Sequence, residues 1–164
     1  MRQRWRVGTV CKTVATAEWV RIPPPQPKYR SMKINCLFLD DFRFPRDAYE
    51  YTFDPEYLVA KWNIVRSHDA FVEFVTKKWN EDKTLPELIS FDHDLIDAHY
   101  QFLEDNIPYE DFKEKTGYHS AKWLVEFCID NNIKLPRFKV HSMNPGGSKN
   151  IKSLLENFNK HQEL

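Results

Sequence analysis

Three short apolar runs of the sequence end in polar residues of types that bind cations or transfer protons. The three transitions are Leu37-Phe38-Leu39 into Asp40-Asp41, Ile89-Ser90-Phe91 into Asp92-His93-Asp94, and Phe138-Lys139-Val140 into His141-Ser142. Crowded carboxylates need a counter-charge, and the hard divalent cations Mg²⁺ and Mn²⁺ take oxygen ligands. If the apolar runs lie side by side, the pattern predicts a metal-assisted phosphate site.

The elements that must position these residues alternate between strand and helix from residue 33 onward. A parallel α/β sheet of about four to five strands, flanked by helices, is typical of this alternation. Ligands of such sheets bind at the carboxyl ends of the strands, where all three polar clusters fall. The predicted strands are Ile34–Leu39, Trp62–Val65, Leu88–Asp92 and Phe138–Ser142, and the predicted helices begin near Ser67, His119 and Ser148.

The acidic residues admit a functional and a structural interpretation. Asp40 and Asp41 are candidate metal ligands, although Asp is also common in turns after strands. Asp92 and Asp94 share one face if the strand continues through them, because strand side chains alternate between faces. His93 would then point to the other face, as a packing histidine.

The residues after the last predicted strand are suited to anion binding. His141 is a candidate general acid or base, and Ser142, Asn144, Gly146 and Gly147 precede a predicted helix whose positive end favours phosphate. The alternative is a glycine-containing loop in which Ser148 caps that helix.

Two further segments carry predictions about organisation. Residues 41–57 are expected to form an aromatic-rich loop, and residues 95–116 a long connection that covers the site. Residues 1–31 read as a basic extension with a proline-rich linker, which precedes a domain at 32–164.

Composition narrows the class of protein. Residues 1–32 carry seven basic side chains and one acid, whereas the whole chain has 24 of each, so the remainder is acidic. Nucleic acid is therefore a possible partner of the basic segment but not the favoured one. We expect no membrane span, no secretion signal, and free thiols in a reducing, cytoplasmic compartment.

Taken together, the motifs resemble a known family. The segments Leu39-Asp40-Asp41-Phe42-Arg43-Phe44-Pro45, Ser90-Phe91-Asp92-His93-Asp94-Leu95, Gly117-Tyr118 with Trp123, and His141-Ser142-Met143-Asn144-Pro145-Gly146 are similar to cyclic-phosphate-processing receiver domains of bacteria and phages, over roughly residues 33–158. The resemblance implies a receiver-like, flavodoxin-like three-layer fold in which Asp40, Asp41 and Asp92 hold Mg²⁺ or Mn²⁺. Ser142 falls where receivers carry a Ser or Thr.

The sequence departs from signalling receivers because no Lys-Pro motif follows the last helix, which disfavours phosphorelay signalling. The leading hypothesis is a metal-dependent phosphoesterase acting on a nucleotide or cyclic phosphate. Its predicted catalytic residues are Asp92, Asp94 and His141, and its predicted phosphate-binding residues are Ser142, Asn144, Gly146, Gly147 and Arg43. The alternative is a non-catalytic module that sequesters a cyclic nucleotide or another phospho-ligand.

Overall fold

The computed structural model of the chain describes residues 35–95, 109–111 and 115–162. The predicted extension at 1–31 and most of the predicted connection at 95–116 lie outside the described residues. Within the described part, no helix is both long and apolar enough to cross a membrane.

A parallel sheet organises the described residues. Its four strands are β1 (Asn35–Leu39), β2 (Lys61–Val65), β3 (Leu88–Phe91) and β4 (Arg137–Val140), in the order β2-β1-β3-β4. Every neighbouring pair is parallel, and Phe38 lies opposite both Ile64 and Ser90 in the register. The predicted α/β fold is therefore confirmed. The chain places β2 on one side of β1 and then crosses to place β3 on the other side, so the strand order reverses between β1 and β3.

The strand ends differ slightly from the predicted ones. Residues Asp92, His141 and Ser142 were expected to be the last residues of strands, but β3 ends at Phe91 and β4 ends at Val140. Alternation of faces therefore does not extend through Asp92 to Asp94. The polar residues lie just beyond the sheet rather than in it.

Helices cover both faces of the sheet. They are α1 (Pro45–Thr52), α2 (Glu56–Val59), α3 (His68–Asp82), α4 (Gly117–Asp130) and α5 (Pro145–Gln162), with a 3₁₀ turn at Tyr109–Asp111. Leu37 and Leu39 belong to the core formed with α3, α4 and α5, whereas Phe38 packs with α1 and α2. Because β1 is buried on both faces, its run of apolar residues is continuous.

The predicted loop at 41–57 is wrong, because it contains α1 and the first two residues of α2. Pro45 occupies the first position of α1, where its missing N–H costs nothing. The Asp47 carboxylate accepts a hydrogen bond of 2.7 Å from the Phe44 amide. At eight residues, α1 is too short for its periodicity to stand out among the many aromatic residues.

The start of α5 also differs from the prediction. The helix begins at Pro145, three residues before the predicted cap at Ser148. The Gly147 amide donates to Asn144 Oδ1 at 2.9 Å, and the Ser148 amide donates to the Asn144 carbonyl at 2.9 Å. Asn144 is therefore the N-cap, and Gly146 and Gly147 belong to the first turn.

Candidate functional site

The site is built from the first residue after each of three strands. Asp40, Asp92 and His141 follow β1, β3 and β4 directly, and each backbone amide donates to the carbonyl of the last residue in the neighbouring strand, at 3.2, 2.9 and 2.9 Å. The parallel ladder thus holds the three residues at one edge of the sheet. This edge spans the reversal point between β1 and β3, where ligands of such sheets bind.

The three side chains converge and are withdrawn from solvent. One ligand atom from each of Asp40, Asp92 and His141 lies within 4.8 Å of the other two. Both aspartates are fully buried, and His141 is 1% exposed. Two buried carboxylates at this distance require a positive charge beside them.

Arg43 supplies a positive charge between the two aspartates. Its Nε lies 2.8 Å from Asp40 Oδ2, and its Nη2 lies 2.8 Å from Asp92 Oδ1. Asp40 Oδ1 also accepts hydrogen bonds from the amides of Phe42 (3.0 Å) and Arg43 (2.6 Å). The planar guanidinium fork makes this double contact possible, which an ammonium group cannot reproduce.

The two aspartates differ in their electrostatic environment. Burial alone would raise the pKa of Asp40, but its hydrogen bonds from His141 and the Arg43 amide, together with the charge of Arg43, hold that pKa below its usual value. Burial raises the pKa of Asp92, and the positive charge of Arg43 opposes this rise. Arg43 Nη2 lies 2.8 Å from Asp92 Oδ1, but neither Asp92 oxygen accepts a hydrogen bond of good geometry. Asp92 is therefore the carboxylate that gains more from an added cation.

His141 is held from three sides. Its ring stacks on Phe38 with centroids 4.2 Å apart. Its Nε2 lies 3.2 Å from Asp40 Oδ2, and its Nδ1 lies 2.7 Å from Ser90 Oγ, which is 2.9 Å from the Tyr57 hydroxyl. The imidazole therefore has a defined orientation at the site.

Asp41 lies at the rim of the site rather than in the buried cluster. Its Oδ1 is buried and has no hydrogen-bond partner. Burial and, secondarily, the charge of Asp40 raise the pKa of Asp41. Asp41 Oδ1 and both Asp92 oxygens lack a hydrogen bond of good geometry and are the hard oxygen donors that Mg²⁺ and Mn²⁺ prefer, so the donor set is compatible with the predicted cation.

Asp94 belongs to a second buried cluster. Its Oδ1 lies 2.7 Å from His93 Nδ1 and accepts a hydrogen bond of 3.2 Å from Asn144 Nδ2. His93 Nε2 lies 3.2 Å from the hydroxyl of Tyr109. The group of possible metal ligands found among the described residues does not include Asp94, which instead ties the segment after β3 to the start of α5.

The predicted phosphate-binding residues take different positions. Ser142 is half-buried, and its side chain interacts with Asp92, which partly opposes the rise in pKa that burial causes in that carboxyl. Gly146 and Gly147 are buried in α5, and the Gly147 amide is engaged by Asn144. The binding of phosphate by these residues and by Arg43 stays a prediction.

Four residues that surround the site were not predicted from the sequence. Ser90 and Tyr57 extend from His141. Tyr51 donates to the His141 carbonyl, and Arg66 donates to the carbonyls of Asp40 (3.1 Å) and Arg43 (2.6 Å). The one available signal was Ser90, a lone hydroxyl inside an otherwise apolar buried strand.

Comparisons with known proteins agree with the fold. The family model described as "Cyclic-phosphate processing Receiver domain" matches residues 35–157, well over half of the chain. Neither a search of the curated proteins nor a search of the solved structures gave a significant match. The matched segment contains the whole sheet together with Asp40, Asp92 and His141. The chain belongs to the family of cyclic-phosphate-processing receiver domains.

Proposed function

We propose that the domain is a metal-dependent phosphoesterase, and that its substrate is a cyclic phosphate, most simply a cyclic nucleotide. The observation that carries the proposal is the convergence of Asp40 and Asp92 from adjacent strands, with carboxylate oxygens on Asp92 and Asp41 that accept no hydrogen bond of good geometry. These three aspartates would hold Mg²⁺ or Mn²⁺. When bound, the metal would polarise the phosphoryl group and lower the pKa of a coordinated water.

The protein groups around the aspartates suit a phosphodiester anion. Arg43 places a guanidinium between Asp40 and Asp92, so that the net negative charge facing an incoming phosphate is reduced. Ser142 lies beside Asp92 and offers a hydroxyl to a phosphate oxygen. Both effects favour binding of an anion at an edge that would otherwise repel it.

Two histidine–carboxylate pairs are available for proton transfer. His141 contacts Asp40 at 3.2 Å, and His93 contacts Asp94 at 2.7 Å. We assign the transfer to His141, because its ring lies in the cluster with Asp92. Asp94 then acts by orienting His93 behind the loop that carries Asp92.

The test is hydrolysis of a panel of cyclic nucleotides by the full chain with Mg²⁺ or Mn²⁺, followed by separation of the products. We expect ring opening by the wild type, and loss of turnover in Asp92→Asn. Asp130→Asn is the matched control, because it neutralises an exposed aspartate at the C-terminal end of α4, whose first residue, Gly117, packs on the segment after β3. Equal turnover by wild type and Asp92→Asn would refute the proposal.

Arg43 favours a second candidate, a non-catalytic module that sequesters a cyclic phosphate. Because Arg43 already offsets one of the two negative charges of Asp40 and Asp92, the cluster depends less on a metal for charge balance. Equilibrium dialysis with a cyclic nucleotide, followed by chromatography of the recovered ligand, separates the two candidates. Tight binding with intact ligand in the presence of Mn²⁺ supports sequestration, whereas ring-opened product supports catalysis.

The proposed setting is the cytoplasm, where cyclic nucleotides are available. The thiols of Cys36 and Cys128 are free and buried, as expected of a reducing compartment. Burial raises the pKa of both thiols to about 11, so neither is a reactive nucleophile at neutral pH.

A further inference from the structure

A chain of three hydrogen bonds runs from the sheet face under α2 to the site. The Tyr57 hydroxyl lies 2.9 Å from Ser90 Oγ, Ser90 Oγ lies 2.7 Å from His141 Nδ1, and His141 Nε2 lies 3.2 Å from Asp40 Oδ2. Ser90 and Asp40 are fully buried, and Tyr57 is 4% exposed. Each hydrogen bond of the chain is therefore shielded from competing water.

The direction of this chain follows from the end at Asp40. The Asp40 carboxylate accepts from two backbone amides and from Arg43 Nε, so it is an ionised acceptor. The His141 nitrogen that faces it must then carry a proton and donate. In the neutral imidazole this leaves Nδ1 as the acceptor, so Ser90 donates to Nδ1 and Tyr57 donates to Ser90.

We propose that Ser90 and Tyr57 are positioning residues that fix His141 as a hydrogen-bond donor, with its proton on Nε2, at the Asp40–Asp92 site. His141 is then neither a metal ligand nor a general base in this state, because its Nε2 lone pair is absent. Its Nε2–H can change its hydrogen-bond acceptor from the Asp40 carboxylate to a phosphate oxygen or a leaving-group oxygen. The tautomer does not depend on the proposed function, whereas the use of this N–H on a substrate rests on it.

The surroundings of the ring support a positioning role. Phe38 stacks on His141 at 4.2 Å, so the imidazole is held in plane while the hydroxyls set its protonated nitrogen. Tyr57 in turn stacks on Trp62 at 5.5 Å, and burial raises the pKa of its hydroxyl to about 12, so that it remains a donor at neutral pH. The donor at the far end of the chain is thus fixed both in place and in protonation.

The chain offers a matched control for the loss of a buried Ser–His hydrogen bond. Ser120 on α4 is also fully buried, and its Oγ lies 3.1 Å from His68 Nδ1. Ser120→Ala therefore removes the same type of contact at a different histidine. Ser90→Thr retains the hydroxyl at the test position, and Tyr57→Phe removes only the distal donor.

The experiment is long-range ¹H–¹⁵N NMR of the metal-free, substrate-free full chain, labelled at histidine, with His141→Gln used for assignment. We expect the Nε2–H tautomer of His141 in the wild type, in Ser120→Ala and in Ser90→Thr. Ser90→Ala is expected to give a mixture of tautomers, and Tyr57→Phe a smaller change in the same direction. If Ser90→Ala does not fold, Tyr57→Phe is read in its place.

An Nδ1–H tautomer or an imidazolium in the wild type would overturn the inference, as would an unchanged His141 pattern in Ser90→Ala. If the domain hydrolyses cyclic phosphates, Ser90→Ala should lower kcat by ~10- to 100-fold with little change in KM. Loss of a hydrogen-bond partner that orients a histidine costs activity by this factor in metal enzymes. Absence of hydrolysis by the wild type refutes the proposed function alone, since the NMR result is obtained without substrate.

Discussion

Arg43 Nη2 lies 2.8 Å from Asp92 Oδ1, while Nε of the same guanidinium lies 2.8 Å from Asp40 Oδ2. One side chain from the loop after β1 thus joins the ends of two strands. The electrostatic balance of the site depends on this bridge, because it is the positive charge that lies between two fully buried carboxylates.

Replacing Arg43 with Met should destabilise the fold and strengthen the response to divalent cations. Removal of one partner from a buried ion pair costs about 3–5 kcal/mol. Added Mg²⁺ should recover part of this loss, since Asp40 and Asp92 would lack a counter-charge. The measurement is urea unfolding of wild type and variant with and without Mg²⁺.

Arg66→Met is the control for this substitution. Arg66 donates to the carbonyls of Asp40 and Arg43 but makes no ion pair with the carboxylates. Its loss should leave the response to Mg²⁺ at the wild-type level. An Arg43→Met variant that responds to Mg²⁺ no more than Arg66→Met would contradict the prediction.

Asp92→Asn should leave stability at pH 7 unchanged or raise it by up to about 1 kcal/mol, because burial makes the ionised carboxylate unfavourable. A raised folded-state pKa means that ionisation costs stability as the pH rises past the unfolded value of 3.8. The amide removes this cost and leaves Arg43 paired with Asp40. Chemical denaturation at pH 7 checks the sign, and a large loss of stability would show that Arg43 needs both partners.

The loss of unfolding free energy at acid pH should change in opposite directions when Asp40 and Asp41 are neutralised. The folded-state pKa of Asp40 lies below its unfolded value of 3.8. The stabilisation from the ionised Asp40 carboxylate is therefore complete above pH 3.8 and is lost as the pH falls from there through the folded-state pKa. Asp40→Asn should therefore flatten the loss of stability in acid. The pKa of Asp41 is raised, mainly by burial, so Asp41→Asn should steepen that loss.

Urea unfolding at several pH values between roughly 2.5 and 7, a range that brackets the ordinary carboxyl pKa values of about 4, measures both slopes. Parallel slopes for the two variants would mean that the environments of Asp40 and Asp41 do not differ in the way their contacts indicate.

Gly147→Ala should cost about 1–3 kcal/mol, because a Cβ at this position would lie 2.1 Å from Cγ of His93. The clash is with a ring, so removal of the ring should relieve it. In a His93→Ala background the same substitution should therefore cost less. A double-mutant cycle on urea unfolding measures the coupling, and additive effects would exclude the contact as the cause.

Much of the fold follows from local pattern. The apolar runs predicted the strands β1 and β3, and a helix was predicted to begin near Ser67, whose side chain accepts from the Ala70 amide at the start of α3. The short helix α1 was not predicted. Its eight residues are stabilised by a proline at the first position and one side-chain cap, and they lack a long apolar stripe that periodicity would reveal.

The site was predicted in location more accurately than in its connections. Asp40, Asp92 and His141 meet, as expected of residues that follow parallel strands. Asp94 turns away to His93, because β3 ends at Phe91 and the alternation of faces ends with it.

By itself, the sequence determined that polar residues follow apolar strands and must share one edge of a parallel sheet, because strand periodicity and termination are local properties. The tertiary structure decided which polar groups touch. Adjacent placement of β1 and β3 put Arg43 within reach of Asp92, and packing of α2 under the sheet brought Tyr57 to Ser90 and thus to His141. These contacts depend on strand order and side-chain direction, which long-range packing sets and local pattern does not encode.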